Sequence, residues 1–227
     1  MANIHLVVFD IAGTTVSDKG DIAIAFIDAF RKHGLEVLVE DVNKVMGFRK
    51  MEAIKILLEK FYPDQENSFE LIEKIHDAFT QNMISFYEND PDLLALPYAE
   101  ETFEILQQAG VKVALNTGFT KAITDTIVNR LTWHKNKMIN HVISSDEVPQ
   151  GRPHPFMIRS IMEALHIAEV KSVAKVGDTQ VDVQEGRNAG CGLVVSVTTG
   201  AYTREQLESY DPDFIIDSLK ELPALIK

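Results

Sequence analysis

Cysteine, basic charge and long apolar runs are all scarce in this chain of 227 residues. The single cysteine, Cys191, excludes an internal disulfide and fits the reducing cytoplasm, where we expect the protein to be located. A formal net charge of −12 argues against nucleic acid as a partner, although a locally positive site for an anionic small molecule remains compatible with it. No apolar run approaches the roughly 20 residues that span a bilayer, and no basic signal segment precedes the first strand. We therefore expect neither a membrane nor a nucleic-acid partner.

The apolar residues that are present change their spacing along the chain. From Ile22 to about Phe86 they recur at helical spacing, and no strand is predicted there. After Pro97, short apolar runs alternate with amphipathic segments, as in repeated βαβ units. This pattern predicts an α/β fold in which helices cover both faces of a parallel sheet, with an all-helical insertion after the first strand. Such an insertion can close over a site at the strand ends and exclude water.

An acidic residue ends the first predicted strand. Asp10 follows the apolar run 5–9 and precedes small and hydroxyl residues. Because ligands bind beyond the carboxyl ends of strands in open α/β sheets, Asp10 is expected at the mouth of a site. A carboxylate there can attack phosphorus and form an aspartyl-phosphate. Alternatively, Asp10 merely caps the turn that follows.

Two further predicted strand ends carry groups that could bind a phosphoryl group. Thr117 and Gly118 follow the strand 111–115, and their hydroxyl and backbone N–H groups could approach a phosphoryl oxygen. An ordinary turn, with Thr120 as the N-cap of the next helix, is the alternative. Arg152 lies between a glycine and a proline, where its guanidinium could pair with a carboxylate and a phosphate. The alternative is an ordinary surface arginine.

A pair of acidic residues follows the strand predicted at 173–176. Asp178 and Asp182 are four residues apart, so they lie on one face as the next helix begins. Together with Asp10, these carboxylates could form an oxygen cage for Mg²⁺. The alternative is that Asp178 is only an N-cap. We expect the three carboxylates to gather within a few ångströms.

These four segments, in this order, resemble the four motifs of the haloacid dehalogenase superfamily of phosphotransferases. More narrowly, the chain resembles phosphonoacetaldehyde hydrolases (phosphonatases) and phosphonatase-like hydrolases, through the segments 10–16, 117–120, 151–153 and 175–190. The resemblance implies a Rossmann-like three-layer core over residues 1–17 and 94–227, a helical cap over residues 18–93, and Mg²⁺ as cofactor. It also implies a homodimer formed through the cap, which the apolar segment 22–27 permits.

The resemblance also implies roles for individual residues. Asp10 would be the nucleophile and a metal ligand, and the Ala12 carbonyl would be a second ligand. Asp178 and Asp182 would hold Mg²⁺ directly or through water. Thr117 would bind the phosphoryl group, and Arg152 would orient nucleophile and phosphate. The substrate contacts expected in this way are Ala12, Gly13, Thr14, Met46, Gly118 and Phe119.

A lysine of the predicted cap matches the family's Met-Gly-x-x-Lys pattern. By this resemblance Lys50 would form a Schiff base with an aldehyde substrate. Such a lysine must be partly neutral, which burial or neighbouring cations such as Arg49 and Lys44 could achieve. A solvent-exposed lysine at a helix start is the alternative.

Several positions depart from the family pattern. Ala12 stands where most phosphatases of the superfamily have an aspartate that protonates the leaving group. Ala53 stands where phosphonatases have a histidine, Phe119 replaces their tyrosine, and the cap cysteine of some of them is not evident. These departures concern the leaving group, while the residues of phosphoryl transfer are all present.

The sequence therefore favours a Mg²⁺-dependent, phosphonatase-like hydrolase that acts through an aspartyl-phosphate on a small phosphorylated or phosphonate substrate. Cleavage of the P–C bond of phosphonoacetaldehyde, or of a related phosphonate, would follow if Lys50 forms an imine. One alternative is a phosphatase that cleaves a small phosphate ester. Another is a non-catalytic protein that binds a phosphorylated metabolite.

Overall fold

The fold is described by a computed structural model over residues 3–63, 68–91 and 93–226. Six strands form one parallel sheet in the order β3-β2-β1-β4-β5-β6. Their bounds are Leu6–Phe9 for β1, Lys112–Thr117 for β2, His141–Ser144 for β3, Val173–Gly177 for β4, Leu193–Val197 for β5 and Phe214–Ile216 for β6. The predicted α/β fold with a parallel sheet is confirmed.

Helices fill the chain between these strands. The described part of the helical region contains α1 (Asp21–Arg31), α2 (Val39–Asn43), α3 (Lys50–Phe61) and α4 (Phe69–Asn89). The remaining helices are α5 (Ala99–Gln108), α6 (Lys121–Arg130), α7 (Phe156–Ala164), α8 (Gln180–Ala189), α9 (Arg204–Glu208) and α10 (Leu222–Leu225). Short 3₁₀ turns cover Ser145–Glu147, Val170–Ser172 and Leu219–Glu221. None of the described helices is long and apolar enough to cross a membrane.

Helices cover the central strand β1 on both faces, as its uninterrupted apolar sequence requires. Its side chains alternate between two apolar clusters, with Val7 and Phe9 in one, and Leu6 and Val8 in the other. All four are fully buried. The larger cluster continues into the helical region, where the core and α1–α4 share one apolar interior.

The helical region forms for local reasons that the sequence shows. The Ser68 side chain accepts a hydrogen bond from the Leu71 N–H at 3.2 Å and so caps α4. Gly34 takes a φ of 73° just after α1, a conformation that favours glycine. The turn 46–48 then packs against the core, because a methyl group on Gly118 would overlap the carbonyl oxygen of Phe48. This packing places the start of α3 beside the carboxyl ends of β1, β2 and β4.

Candidate active site

A small cavity of about 30 Å³ lies where the carboxyl ends of β1, β2 and β4 meet the helical region. It brings together eight of the twelve residues predicted to form the site; Gly13, Thr14, Arg152 and Asp182 do not line it. The lining residues are Asp10, Ala12, Asp18, Ile22, Met46, Gly47, Lys50, Thr117, Gly118, Phe119, Asp178, Thr179 and Ala201. Such a volume holds only about two water molecules.

Asp10 is held by an arginine and not by the turn that follows it. Its Oδ1 accepts a hydrogen bond from Nη1 of Arg152 at 2.6 Å. Burial raises the pKa of Asp10, and Arg152, acting in the opposite direction, offsets only part of this effect. The interpretation of Asp10 as a turn cap is therefore wrong.

Arg152 is fully buried, so the surface alternative is wrong for this residue as well. Besides Asp10, it contacts Asp182 at 3.0 Å and Glu185 at 3.3 Å, and its Nη2 donates to the Asn116 carbonyl and side-chain oxygens at 2.6 Å. Although burial disfavours its charge, these three carboxylates raise the pKa of Arg152 above its ordinary value. The guanidinium is therefore a fixed positive charge beside Asp10.

Sequence reasoning assigned no role to three buried residues behind Arg152. Lys175 donates to Oδ1 of Asn116 at 2.7 Å and lies 2.9 Å from Asp182 and 3.5 Å from Glu185. The Asn116 amide also donates to both Glu185 carboxylate oxygens at 2.9 Å. The available signal was Lys175 itself, because a lysine inside an apolar strand requires buried anionic partners.

Asp182 corrects the expectation of a three-carboxylate cage. Its carboxylate contacts Lys175 and Arg152 and accepts hydrogen bonds from the hydroxyl and N–H groups of Thr179. Burial works against its charge, but the two cations outweigh burial and lower the pKa of Asp182. No three His, Cys, Asp or Glu side chains of the described residues form a group that could hold a metal ion. The physical reason is that two buried cations already neutralise Asp182.

Asp178, in contrast, has no cation within ion-pair distance among the described residues. The Thr14 hydroxyl donates to its Oδ1 at 3.0 Å and the Ala201 N–H to its Oδ2 at 2.8 Å. Burial, and then the negative charges of Asp10 and Asp182, raise the pKa of Asp178 well above its ordinary value. Its interpretation as an N-cap is wrong, because Thr179 holds that position in α8.

The residues around Asp178 fit a hard divalent cation. Asp10 and Asp178 are two buried acids whose negative charges repel, and a cation between them would relieve that repulsion. The Ala12 carbonyl lines the same cavity and accepts no hydrogen bond within the described part of the chain. Two carboxylates and a backbone carbonyl are oxygen donors of the kind that Mg²⁺ prefers.

The loop after β2 forms the opposite side of the cavity. The Thr117 hydroxyl accepts a hydrogen bond from the Phe119 N–H at 3.1 Å, and Gly118 lies directly against the turn 46–48. Thr120 is the N-cap residue of α6 by position, but its hydroxyl makes no capping hydrogen bond. Thr117 and Gly118 therefore face the same cavity as Asp10.

Lys50 is buried, with 3% of its surface exposed, so the interpretation as a solvent-exposed lysine is wrong. Its Nζ lies 5.0, 5.5 and 5.9 Å from the ring centroids of Phe119, Phe26 and Phe79, and no described residue pairs with it through a hydrogen bond or salt bridge. Burial is the main reason that the pKa of Lys50 is lowered to about 8, and Arg152 acts in the same direction, against the charge of Asp10.

The cations expected to assist Lys50 have other partners. Lys44 pairs with Asp41 at 3.0 Å, and Nη1 of Arg49 donates to the Pro149 carbonyl at 3.3 Å. Arg152 takes the place predicted for them. Burial among phenyl rings also lowers the pKa of Lys50, and it is the larger cause. The sequence pattern of α1 and α4 did not indicate that their rings would surround this lysine.

Known proteins with similar sequences are hydrolases. A family model described as haloacid dehalogenase-like hydrolase matches residues 4–190. A phosphonoacetaldehyde hydrolase of Bacillus mycoides is 31% identical over 230 residues, covering 92% of this chain and 83% of that protein. A bifunctional phosphonoacetaldehyde hydrolase/aminoethylphosphonate transaminase of Clostridioides difficile is 31% identical over 221 residues, but this chain spans only 34% of its length.

Solved structures show the same fold at lower identity. A phosphonoacetaldehyde hydrolase-like protein of Oleispira antarctica superposes with a TM-score of 0.83 at 23% identity, covering 99% of this chain and 91% of that one. CbbY of Rhodobacter sphaeroides, in complex with xylulose-1,5-bisphosphate, superposes with a TM-score of 0.79 at 19% identity, covering 96% of both chains. The chain therefore belongs to the haloacid dehalogenase-like hydrolases and is a hydrolase of their phosphonatase-like branch.

Proposed function

We propose that this hydrolase uses Mg²⁺ and Asp10 to cleave the P–C bond of phosphonoacetaldehyde or a closely related phosphonate. The observation that supports this substrate class most is the environment of Lys50. An amine with a pKa lowered to about 8 faces the same small cavity as a buried carboxylate that is paired with an arginine. An imine-forming amine and a phosphoryl acceptor are thus within reach of one small molecule.

Asp10 acts as the nucleophile of the phosphoryl transfer. Arg152 fixes Oδ1 of Asp10, leaving the other carboxylate oxygen to attack phosphorus, and the same guanidinium offsets negative charge on the transferring group. Asp10, Asp178 and the Ala12 carbonyl would hold Mg²⁺, which when bound supplies further positive charge at the phosphoryl oxygens. Thr117 and Gly118 contact the phosphoryl group from the opposite side of the cavity.

Lys50 provides the path for the electrons of the P–C bond. Its neutral amine adds to the aldehyde carbon, and loss of water leaves an iminium. When the oxygen of Asp10 bonds to phosphorus, the P–C electron pair moves onto the carbon and the iminium becomes an enamine. Protonation and hydrolysis then release acetaldehyde and the free amine, and a water molecule hydrolyses the aspartyl-phosphate, which releases phosphate and restores Asp10. Because the leaving carbon needs no acid at position 12, Ala12 is compatible with this route.

The helical region acts in this proposal as a cap over a catalytic core, with the boundaries expected from the sequence at 18–93. The phenyl rings that lower the pKa of Lys50 come mainly from α1 and α4 of this region. We also propose a cytoplasmic homodimer that associates through α1, whose Ile24 side chain is exposed on the outer face. Light scattering of wild type and of Ile24→Glu would test the dimer.

A phosphatase that cleaves a small ester is the second candidate, favoured by the absence of two groups near Lys50. Ala53 is fully buried and cannot transfer protons, and Phe119 has no hydroxyl. Membership in a hydrolase family, with Asp10 and Arg152 in contact, argues against the non-catalytic alternative.

Borohydride trapping separates the two enzymatic candidates. With phosphonoacetaldehyde and Mg²⁺, wild type should release phosphate and acetaldehyde and form a reducible adduct at Lys50, identified by peptide mass. Lys50→Arg keeps the positive charge and should form no adduct, while Asp10→Asn should form the adduct without releasing phosphate. Phosphate release from esters, with no adduct in wild type, would favour the phosphatase.

A further inference from the structure

Asp18, between β1 and α1, has one oxygen that is bonded and one that is not. Its Oδ1 accepts hydrogen bonds from the N–H groups of Gly20, Asp21 and Ile22, at 3.1, 3.0 and 3.4 Å. No donor among the described residues bonds its Oδ2. Since the residue also lines the cavity, Asp18 combines a structural oxygen, which begins α1, with an oxygen free to meet a ligand.

The cavity contains three carboxylates, and two of them have other tasks in the proposed reaction. Asp10 is fixed by Arg152 and supplies the attacking oxygen. Both oxygens of Asp178 accept hydrogen bonds, and this residue would hold the metal. Among the described residues that line the cavity, Asp18 is therefore the carboxylate with neither an ion pair nor a metal to bind.

Imine formation at Lys50 requires a group that moves protons. Addition of the amine gives a carbinolamine, whose hydroxyl must gain a proton before it leaves as water. The three rings nearest to Nζ are phenyl groups and cannot supply one. Since the cavity holds only about two water molecules, Asp18 and Lys50 are within reach of the same small intermediate.

We propose that Asp18 is the acid–base residue of the imine chemistry at Lys50, an assignment that rests on the proposed function. Protonated Asp18 gives its proton to the carbinolamine hydroxyl, which departs as water while the nitrogen lone pair forms the C=N bond. At the end of the cycle the Asp18 carboxylate takes a proton from the water that adds to the iminium. Collapse of this second carbinolamine releases the aldehyde and the free amine.

The groups that face Asp18 are compatible with this role. They are Asp21 of α1, Lys50 of α3 and Tyr87 of α4. Burial raises the pKa of Asp18, and the hydrogen bonds from Ile22 and Gly20 offset only part of that effect. A carboxyl group with a raised pKa keeps its proton closer to neutral pH, as a general acid must.

Asp18→Asn tests the assignment with little change in structure, because the amide oxygen can still accept the hydrogen bonds that begin α1. Asp28→Asn is the matched control, since Asp28 is another acid of α1 but lines a groove on the outer face of that helix. The probe is acetaldehyde, which lacks phosphorus and so isolates imine formation from phosphoryl transfer. The measurement is the rate of borohydride-trapped adduct at Lys50.

We expect Asp18→Asn to slow trapping by roughly 10²-fold or more, the usual size of a general acid–base contribution, and to lower kcat for phosphonoacetaldehyde with little change in KM. Asp28→Asn should match wild type. Asp18→Ser, whose hydroxyl can also begin the helix but cannot donate as an acid, should be as slow as Asp18→Asn.

The outcomes separate the two proposals. If wild type forms no adduct, the imine route itself fails, and the role of Asp18 fails with it. If wild type forms the adduct and Asp18→Asn forms it equally fast, only the assignment of Asp18 is overturned. An equal loss in Asp28→Asn, or a loss in only one of the two Asp18 variants, would also contradict it.

Discussion

Lys50 shows how a single residue acquires reactivity from its surroundings. Three phenyl rings exclude water from its ammonium group, and no described residue forms an ion pair with it. Because of this burial, the pKa of Lys50 is lowered to about 8. Phenyl faces attract a cation only weakly, by about 0.5–2 kcal/mol, so they do not replace the lost hydration. The folded chain therefore favours the neutral amine more than solvent does.

This environment predicts a pH dependence for imine formation. The reactive species is the neutral amine, whose fraction rises as the pH increases through the pKa, so the trapping rate at Lys50 should rise through about pH 8. The check is the adduct yield after short exposure to acetaldehyde and borohydride on either side of that value. Lys50→Arg is the control, because it should form no adduct on either side of that value. A trapping rate at Lys50 that does not change across that value would contradict the prediction.

Glu185 and Asp10 both contact the guanidinium of Arg152. Glu185 is fully buried and contacts Nε of Arg152 at 3.3 Å, while Asn116 donates to both its oxygens. In Glu185→Gln one carboxylate oxygen becomes an NH2 group, which faces the donors of Asn116 and Arg152 and cannot accept from them. The substitution therefore removes an interaction with a charged group, and hydrogen bonds to charged groups are worth about 1.5–3 kcal/mol. We expect a lower melting temperature and a kcat reduced roughly tenfold, with KM little changed.

The matched control for that prediction is Glu163→Gln on α7, outside the network of Arg152. It should retain both the melting temperature and kcat of wild type. If Glu185→Gln loses stability but keeps full kcat, the carboxylate only stabilises the fold and does not position Arg152.

At the scale of the element, the loop after β1 is tied to the loop after β5 around one carboxylate. Thr14 donates to Oδ1 of Asp178, Ala201 donates to Oδ2, and the Thr199 hydroxyl donates to the Gly13 carbonyl at 2.7 Å. These contacts fix the orientation of Asp178, the acid whose pKa is raised well above its ordinary value by burial and by the charges of Asp10 and Asp182. Sequence motifs indicated Asp178 but not the segment 198–202 that holds it.

Thr14→Val should therefore weaken Mg²⁺ binding. The variant keeps the shape of the side chain but removes the hydroxyl that orients Asp178, and loss of such a supporting contact typically costs 10–100-fold in metal affinity. The measurement is the Mg²⁺ concentration that gives half-maximal activity. Thr15→Val is the control, because the Thr15 hydroxyl donates to the backbone carbonyls of Asp10 and Ile11. Equal effects in both variants would show that the Asp178 contact is not the cause.

The predicted elements agree with the structure where the spacing of their apolar residues clearly indicates a strand or a helix. The strands predicted at 111–115 and 173–176 are β2 (Lys112–Thr117) and β4 (Val173–Gly177), each within two residues of the predicted bounds. Helix α2 was not predicted, because five residues are too short to show a helical period. Near the end of the described chain a 3₁₀ turn capped by Ser218 leads into α10, with Pro223 in its first turn.

The site was less predictable than the fold, because its charges pair across distant parts of the sequence. Spacing alone placed Asp178 and Asp182 together, but only the structure shows Lys175 and Arg152 neutralising the second acid. The burial of Lys50 likewise depends on rings from α1, α4 and the loop after β2. No local pattern contains that information.

Across the whole molecule, the helical region closes the site through backbone contacts as well as side chains. Arg130 of α6 donates to the carbonyls of Tyr87 and Glu88 near the end of α4, and to that of Asp90 at 2.9 Å. At the other end, the turn 46–48 lies against Gly118. With only about 30 Å³ of free volume, the cavity cannot admit a phosphonate and an aldehyde together unless these contacts open.

Gly118→Ala should interfere with that closure. The new methyl group would overlap the Phe48 carbonyl oxygen, so the turn 46–48 could not return to its place and Lys50 would move from the reacting carbon. Because displacement by about 1 Å can cost 10²-fold, we expect kcat/KM to fall at least tenfold and Lys50 to react faster with an amine-modifying reagent.

Gly110→Ala is the control for that prediction, since its methyl group would meet no atom within 4 Å and the variant suffers only the strain of a φ of 79°. It should lose about 1 kcal/mol of stability while retaining kcat/KM and the slow modification of Lys50. If Gly118→Ala matches this control in both measurements, contact between the turn 46–48 and the core does not limit the reaction. If kcat/KM falls but Lys50 is not modified faster, the helical region is still closed. The substitution then acts on Thr117 and its contact with the phosphoryl group.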